Sequence, residues 1–99
     1  MKVRFLAPAR TELREAIAYY NEKHHGLGFR FSDEVKQAIK RIIQYPEAWS
    51  PLSKTTRHCQ VKEFPYSVIY CLRKDELLVV AIMHSRREPE NWKQRLVGV

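Results

Sequence analysis

The sequence centres on the apolar segment Leu77-Leu78-Val79-Val80-Ala81-Ile82-Met83-His84, which runs into Ser85-Arg86-Arg87-Glu88-Pro89-Glu90-Asn91-Trp92. The first segment is short, is rich in β-branched side chains and lacks glycine and proline, which predicts a strand buried on both faces. A histidine and two arginines follow where this strand leaves the core. A strand end would fix the positions of these basic groups while their charged ends stay in water, so we expect the functional end of the protein here.

Periodicity upstream of this segment predicts a strand and two helices. Residues 2–6 alternate polar and apolar side chains, which is typical of a short strand. Apolar stripes at helical spacing over residues 9–20 and 31–42 predict two amphipathic helices. Only a few residues link them, so they should pack as an antiparallel helical hairpin. Residues 46–56, with two prolines and an exposed-looking tryptophan, are a predicted loop.

The second half of the chain predicts a three-stranded meander. Residues 57–62 alternate as a strand, residues 67–72 are a second predicted strand, and short turns connect them to each other and to the central strand. Links this short force the three strands to run antiparallel. Residues 90–96 predict a short C-terminal helix. The order β-α-α-β-β-β therefore predicts a two-layer α+β fold, with the helical hairpin on one face of a twisted antiparallel sheet.

Composition narrows the class of protein. The chain has 99 residues, 44% of them hydrophobic, so we expect one domain over residues 1–99 with its core between two layers. A net charge of +7 favours an anionic partner, such as nucleic acid, an acidic protein or a membrane surface. No segment has a signal-peptide core or the roughly 18 apolar residues of a membrane span, so we expect a cytoplasmic protein with no membrane partner.

The two cysteines give a geometric expectation. If the first hairpin is centred near Pro65, then Cys59 and Cys71 face each other across neighbouring strands. In the cytosol we expect both of them as thiols. They have no CxxC spacing, so we expect no zinc site. We also expect no other metal and no cofactor.

An ordered set of motifs covers nearly the whole chain: Glu12-Leu13, Tyr19-Tyr20, Leu27-Gly28-Phe29-Arg30-Phe31, Pro46, Trp49, Arg57, Val61, Phe64-Pro65-Tyr66, Val68-Ile69-Tyr70, Val79 to His84, Arg86-Arg87-Glu88-Pro89 and Trp92. With these motifs at these spacings, the chain resembles the RelE/ParE superfamily of bacterial toxins from type II toxin–antitoxin modules. Within it the chain is most similar to the ParE-like, plasmid-stabilisation branch. The resemblance implies the fold described above, with the first strand also joining the sheet.

The ParE-like resemblance implies a toxin without catalytic activity that inhibits DNA gyrase by binding it. It also implies a cognate antitoxin, usually an acidic and partly disordered protein that folds over the toxin into a hetero-oligomer. The net charge of +7 fits such a partner. Candidate contacts to the target or to phosphate are Arg86, Arg87, Lys62 and Tyr66. Candidate contacts to the antitoxin are Tyr19, which should lie at a helix edge, Trp49 and Trp92.

The RelE-like branch of the superfamily implies an alternative, a ribosome-dependent mRNA endonuclease that needs no metal. This chemistry requires a base or acid, cations that stabilise the phosphoryl anion and an aromatic ring that stacks on a base. The candidate catalytic residues are His84, Arg87 and Arg57. Residues 95–99 contain no aromatic, which counts against this branch. A third alternative is a nucleic-acid-binding module, although the basic residues are spread over the whole chain.

The same residues also have purely structural interpretations. His84 would then cap the strand and form a local hydrogen bond. Arg86 and Arg87 would form surface pairs with Glu88 or Glu90, and Arg57 would pair with a carboxylate of a helix. Trp92 would anchor the last helix by packing against the core.

Overall fold

A computed structural model describes residues 1–87 and 92–97. Two helices and five strands are followed by a short 3-10 helix. In chain order they are β1 (Lys2–Phe5), α1 (Ala7–Lys23), α2 (Leu27–Gln44), β2 (Ser50–Pro51), β3 (Thr56–Gln60), β4 (Tyr66–Arg73), β5 (Glu76–His84) and the 3-10 helix (Lys93–Leu96). The predicted α+β fold and its order of elements are confirmed.

All five strands form one sheet in the order β1-β5-β4-β3-β2. The meander of β3, β4 and β5 is antiparallel, as its short links require. β1 pairs with β5 in parallel, so the sheet is mixed and not antiparallel throughout. Both helices and three strands separate β1 from β5 along the chain, and so long a connection allows either direction. The two-residue β2 lies inside the predicted loop and adds an edge to β3.

The core has two parts, one on each face of the sheet. Both helical stripes pack on the first face, where Phe31, Val35 and Ile42 meet Val68 and Val79. The second face carries a separate apolar cluster that includes Leu78, Val80 and Met83 and is covered by Trp92. Every residue of β5 from Leu77 to Met83 is buried. The prediction of a strand buried on both faces is therefore confirmed.

The helices come close together where the chain turns between them. α1 ends at Lys23, and Gly26 adopts a left-handed conformation with φ of 87°. The side-chain oxygen of Asn21 on α1 accepts a hydrogen bond from the Gly28 N–H at 2.7 Å. This bond satisfies one of the unpaired donors in the first turn of α2. The backbones approach closely at Gly28, because a Cβ placed there would lie 2.1 Å from the carbonyl oxygen of Ile17.

The predicted pairing of the cysteines is wrong. Cys59 is opposite Val68, and Cys71 is opposite Thr56. The hairpin is centred between Glu63 and Phe64 and not at Pro65, because Glu63 takes a positive φ of 70° and turns the chain earlier.

The two thiols therefore belong to different apolar clusters on opposite faces of the sheet. Both cysteines are free and buried, and burial raises the pKa of each thiol.

The described C-terminal helix covers part of the predicted range. The 3-10 helix starts at Lys93 and follows the buried Trp92. Residues 90 and 91, with which the predicted helix began, lie outside the described residues. No helix in residues 1–87 or 92–97 is long and apolar enough to cross a membrane.

Tyr70 gives a prediction about alkaline stability. Its hydroxyl donates to the Pro46 carbonyl at 2.7 Å, and burial raises the pKa of the phenol to about 12. An unfolded tyrosine ionises near pH 10, so the unfolded state loses its proton first. We expect stability to fall as the pH rises from about 10 toward 12. Replacing Tyr70 with phenylalanine should flatten this decline in a series of denaturant unfolding curves.

The ultraviolet difference spectrum between the wild type and Tyr70→Phe isolates the ionisation of this one phenol. We expect it to occur near pH 12 or together with unfolding. Ionisation near pH 10 in the folded protein would contradict the prediction.

Candidate functional site

A groove, here called the β5 groove, lies between α1 and the adjoining ends of β4 and β5. Its cavity has a volume of about 620 Å³. α1 contributes Glu12 and Tyr19, the strands contribute Tyr66 and His84, and the segment after β5 contributes Arg87. The end of β5 that was predicted to be functional therefore forms one wall of a concave site.

A β-bulge in β5 decides which side of the sheet His84 occupies. The pairing of β4 with β5 shifts by one residue, and Val80 is the extra residue. Val79 before the bulge and Ile82 after it both face the helices. Because side chains alternate along a strand, His84 lies on the same face as Ile82. Without the extra residue His84 would point to the opposite face, away from α1.

Tyr66 connects the groove to the aromatic core. The centroid of its ring lies 4.9 Å from that of Phe31 and 5.1 Å from that of His84, and both contacts are edge-to-face. Burial raises the pKa of the Tyr66 phenol, and the positive charge of Arg87 partly opposes this effect. The phenol therefore keeps its proton at neutral pH and lines the groove as a hydroxyl group.

His84 forms the local hydrogen bond that its structural interpretation predicts. Its Nδ1 accepts the Arg86 backbone N–H at 3.1 Å, and its carbonyl accepts the Arg87 N–H at 3.0 Å. Since Nδ1 accepts, the proton of the neutral ring lies on Nε2. The ring therefore offers the groove an N–H donor, and its one basic lone pair is already engaged by the backbone.

Glu12 lies on the floor of the groove and is 11% exposed. Arg95 binds both of its oxygens at 2.8 Å, and the Ile82 backbone N–H donates to Oε1 at 3.1 Å. Arg95 also donates to the Val80 carbonyl at 2.9 Å. The hydrogen bond with Glu12 raises the pKa of Arg95. The pair thus satisfies backbone groups of β5 beyond the end of β1.

Sequence reasoning missed the roles of Glu12 and Arg95. Glu12 was considered only as part of the Glu12-Leu13 motif, and Arg95 only as part of a C-terminal segment without an aromatic. The available signal was the position of Glu12 one turn before the buried Ala16, which places a carboxylate on the sheet-facing side of α1.

Arg86 and Arg87 carry the positive charge of the groove. Both side chains are exposed, and that of Arg87 is 60% exposed with its Nη1 3.8 Å from Glu12 Oε2. A pair at that distance and exposure contributes under about 1 kcal/mol. The pairing of these arginines with residues 88 and 90 lies outside the described residues.

The structure does not bring Arg57 together with His84 and Arg87. Arg57 is opposite Tyr70, whereas His84 is opposite Tyr66, so about 13 Å of strand separates the two positions. Arg57 donates to the Trp49 carbonyl at 2.7 Å and not to a helix carboxylate. It lines a separate small cavity of about 240 Å³. Lys62 is exposed in the turn between β3 and β4 and does not line the β5 groove.

The three candidate antitoxin contacts differ in exposure. Tyr19 is 53% exposed at the rim of the groove, as predicted, and Lys23 Nζ lies 5.2 Å from its ring centroid. Trp49 is half-buried against the core and donates to the Arg41 carbonyl, so its predicted exposure is wrong. Trp92 is 2% exposed, and its packing interpretation is confirmed. Of these three candidates, Tyr19 alone offers a partner a largely exposed aromatic ring.

No metal site is evident in the described part of the chain. Among residues 1–87 and 92–97, no three His, Cys, Asp or Glu side chains come together in an arrangement that could hold an ion.

Comparison with known proteins assigns the family. A family model described as "ParE toxin of type II toxin-antitoxin system, parDE" matches residues 3–89. The chain belongs to this family. It is also 30% identical to Toxin ParE2 from two Mycobacterium tuberculosis strains, CDC 1551 / Oshkosh and H37Rv, over 88 residues, which cover 88% of this chain and 84% of each relative.

A solved structure supports the fold independently. The chain superposes with a TM-score of 0.73 on one from the "Chromosomal ParDE TA system from P. aeruginosa", covering 85% of this chain and 95% of that chain. The two sequences are 12% identical, so this likeness concerns the fold alone. The ParE-type toxin assignment rests on the family model and the ParE2 relatives.

Proposed function

We propose that this ParE-family toxin inhibits DNA gyrase by binding it, without cutting nucleic acid, and that a cognate antitoxin neutralises it. The observation that carries the binding mode is the state of His84 in the β5 groove. Its Nδ1 lone pair accepts the Arg86 N–H, which leaves Nε2 as the N–H donor of a ring that lines the cavity. The choice of gyrase rests on the likeness to the ParE-like branch.

The same geometry argues against the RelE-like alternative. A nuclease of that type needs a free base within reach of the RNA 2′-hydroxyl, with cations around the phosphate. His84 would have to break its bond to the Arg86 backbone before Nδ1 could accept a proton. Arg57, the third candidate catalytic residue, lies about 13 Å of strand away. These two observations favour a binding role for the β5 groove over metal-independent nuclease chemistry.

The proposed target contact is the exposed cationic rim of the groove. Arg86 and Arg87 supply planar guanidinium groups, and Tyr66 and His84 supply further hydrogen-bond donors beside them. Such a set recognises carboxylate or phosphate groups within a partly apolar cleft. A toxin with this target works in the cytoplasm, where gyrase acts on DNA.

The proposed antitoxin is an acidic partner that covers this groove. The net charge of +7 gives an acidic chain a long-range electrostatic attraction. Tyr19 at the rim would contact apolar side chains of the antitoxin, and the cations of the opposite wall would contact its acidic side chains. The structural neighbour from P. aeruginosa is part of a ParDE toxin–antitoxin system, which supports a partner of this kind for the present chain. A toxin–antitoxin hetero-oligomer is the expected assembly.

A supercoiling assay tests the proposed target. We expect the purified protein to inhibit DNA supercoiling by gyrase and to trap cleaved DNA, because the bound toxin would hold the enzyme in its cleavage complex. A parallel translation extract should leave mRNA intact at the same concentration. Unchanged supercoiling at a large excess of toxin would refute the gyrase proposal, and cleaved mRNA in the extract would establish the nuclease alternative.

A further inference from the structure

We propose that Arg95 is a positioning residue for the β5 groove. By occupying both oxygens of Glu12, it keeps the Arg87 guanidinium turned toward the cavity, where a partner can reach it. The functional half of this inference rests on the proposed function, whereas its structural half can be tested on the isolated protein.

The two arginines compete for one carboxylate. Arg95 makes two parallel bonds of 2.8 Å to Glu12, and Nη1 of Arg87 lies 3.8 Å from Oε2. Arg95 is 18% exposed and Arg87 is 60% exposed. Bidentate geometry and lower exposure both strengthen an ion pair, so Glu12 is held by Arg95. Arg87 is left as the weakly held neighbour.

Arg95 is also anchored independently of Glu12. Its Nη1 donates at 2.9 Å to the carbonyl of Val80, the bulge residue of β5. This second anchor fixes the guanidinium against the strand, so that its fork faces the carboxylate. The arrangement places a neutralised carboxylate on the floor of the groove and a cation on its rim.

Loss of Arg95 should change the site and not only the packing. The Glu12 carboxylate, 11% exposed, would then have an open side, and among the described residues Arg87 is the remaining ion-pair partner. Burying an unpaired carboxylate is costly, so Arg87 is expected to move onto it. The groove would lose its outward-facing cation although Arg87 itself is unchanged. An Arg95→Ala variant should therefore behave like an Arg87→Ala variant.

A double variant distinguishes positioning from a structural role. Arg95→Ala alone should weaken gyrase inhibition about tenfold, as expected for loss of one charged contact. Adding Glu12→Gln removes the charge that captures Arg87, while its amide oxygen can still accept the Ile82 N–H. Inhibition by Arg95→Ala/Glu12→Gln should therefore recover to within about twofold of the wild type. A merely structural Arg95 predicts no recovery, because the double variant loses more native contacts.

Nuclear magnetic resonance of the arginine side chains tests the inference without gyrase. In the wild type we expect slow guanidinium rotation for Arg95 and averaged signals for Arg87. In Arg95→Ala the Arg87 signals should split and become protected, and in the double variant they should average again. An averaged Arg87 in the single variant would overturn the inference. If instead the wild type fails to inhibit gyrase, only the proposed function is refuted, since these spectra still decide the role of Arg95.

Two further variants complete the experiment. Arg95→Lys keeps a cation but can bind only one carboxylate oxygen at a time, so it should give an intermediate loss and serves if the alanine variant does not fold. Arg4→Ala removes the same charge from the Arg4–Glu76 pair at the other end of β5 and should leave inhibition unchanged. Weakened inhibition by Arg95→Lys, with Arg87 signals that stay averaged, would also count against the inference.

Discussion

Replacing Gly28 with alanine is expected to lower the free energy of unfolding by about 3 kcal/mol or more, at the upper end of what overpacking costs. The added Cβ would lie 2.1 Å from the carbonyl oxygen of Ile17 and 2.6 Å from the side chain of Asn21. The side chain can rotate away, but the carbonyl belongs to the backbone of α1. The two helices must therefore separate.

Separation of the helices has consequences beyond the clash. It stretches the hydrogen bond of 2.7 Å from the Gly28 N–H to Asn21, which caps the first turn of α2. It also loosens the junction that holds Phe31 of α2 beneath the β5 groove. In a domain of this size a loss of about 3 kcal/mol corresponds to a fall in Tm of roughly 15 °C. Calorimetry or thermal circular dichroism measures it directly.

Gly26 provides the matched control two residues earlier. Its φ of 87° strains any side chain, but a Cβ there meets no atom within 4 Å. Gly26→Ala should therefore cost only the conformational penalty of about 1–2 kcal/mol, and Gly26→Asn less. Equal losses of unfolding free energy for Gly26→Ala and Gly28→Ala would show that close approach of the helices is not what excludes a side chain at residue 28.

The elements that local sequence determines were predictable. β5 was recognised from its apolar run, and the two helices from stripes that recur every three or four residues. The antiparallel meander followed from link lengths alone. Each of these signals lies within about 15 residues of the element it predicts, so no knowledge of distant contacts was needed.

The position of His84 could not be predicted, because one residue of register decides it. The extra residue at Val80 moves every later side chain of β5 to the opposite face. No glycine or proline marks this bulge in the sequence. The residues around it are uniformly apolar and buried on both faces, so their hydrophobic pattern does not reveal the shift in register. Similarly, the positive φ of Glu63 moved the hairpin centre and with it the partners of both cysteines.

The pair of Glu12 and Arg95 escaped prediction for another reason. Its members are 83 residues apart in the sequence and meet only because α1 and the C-terminal segment pack beside the same stretch of β5. Periodicity carries no information on such a contact. The prediction for residues 95–99 used only their lack of an aromatic residue, whereas Arg95 in this segment completes the floor of the groove.

The double variant Arg86→Ala/Arg87→Ala is expected to weaken gyrase inhibition by about 100-fold, since two charged contacts together contribute about 3 kcal/mol. Both side chains are exposed, so stability should change by less than about 0.5 kcal/mol. Alanine keeps the backbone N–H groups that bind the Nδ1 and the carbonyl of His84. The geometry of the histidine should therefore survive while the positive rim of the groove is lost.

A matched variant separates position from net charge. Lys36→Ala/Lys40→Ala removes the same two charges from the exposed face of α2, away from the groove. If general attraction to DNA or to an acidic surface sustained inhibition, both double variants would lose potency equally, because such attraction depends on total charge. If the groove itself contacts the target, only the arginine variant should fail.

Salt dependence gives a second measure of the same contacts. Exposed charges are screened within roughly 8 Å at physiological ionic strength, so wild-type inhibition should weaken as salt is added. The arginine variant should show a shallower dependence, since two of the screened contacts are gone. The lysine variant should keep the wild-type slope. Wild-type potency in Arg86→Ala/Arg87→Ala would mean that the target binds elsewhere and that this rim serves another partner, with the proposed antitoxin the first to test.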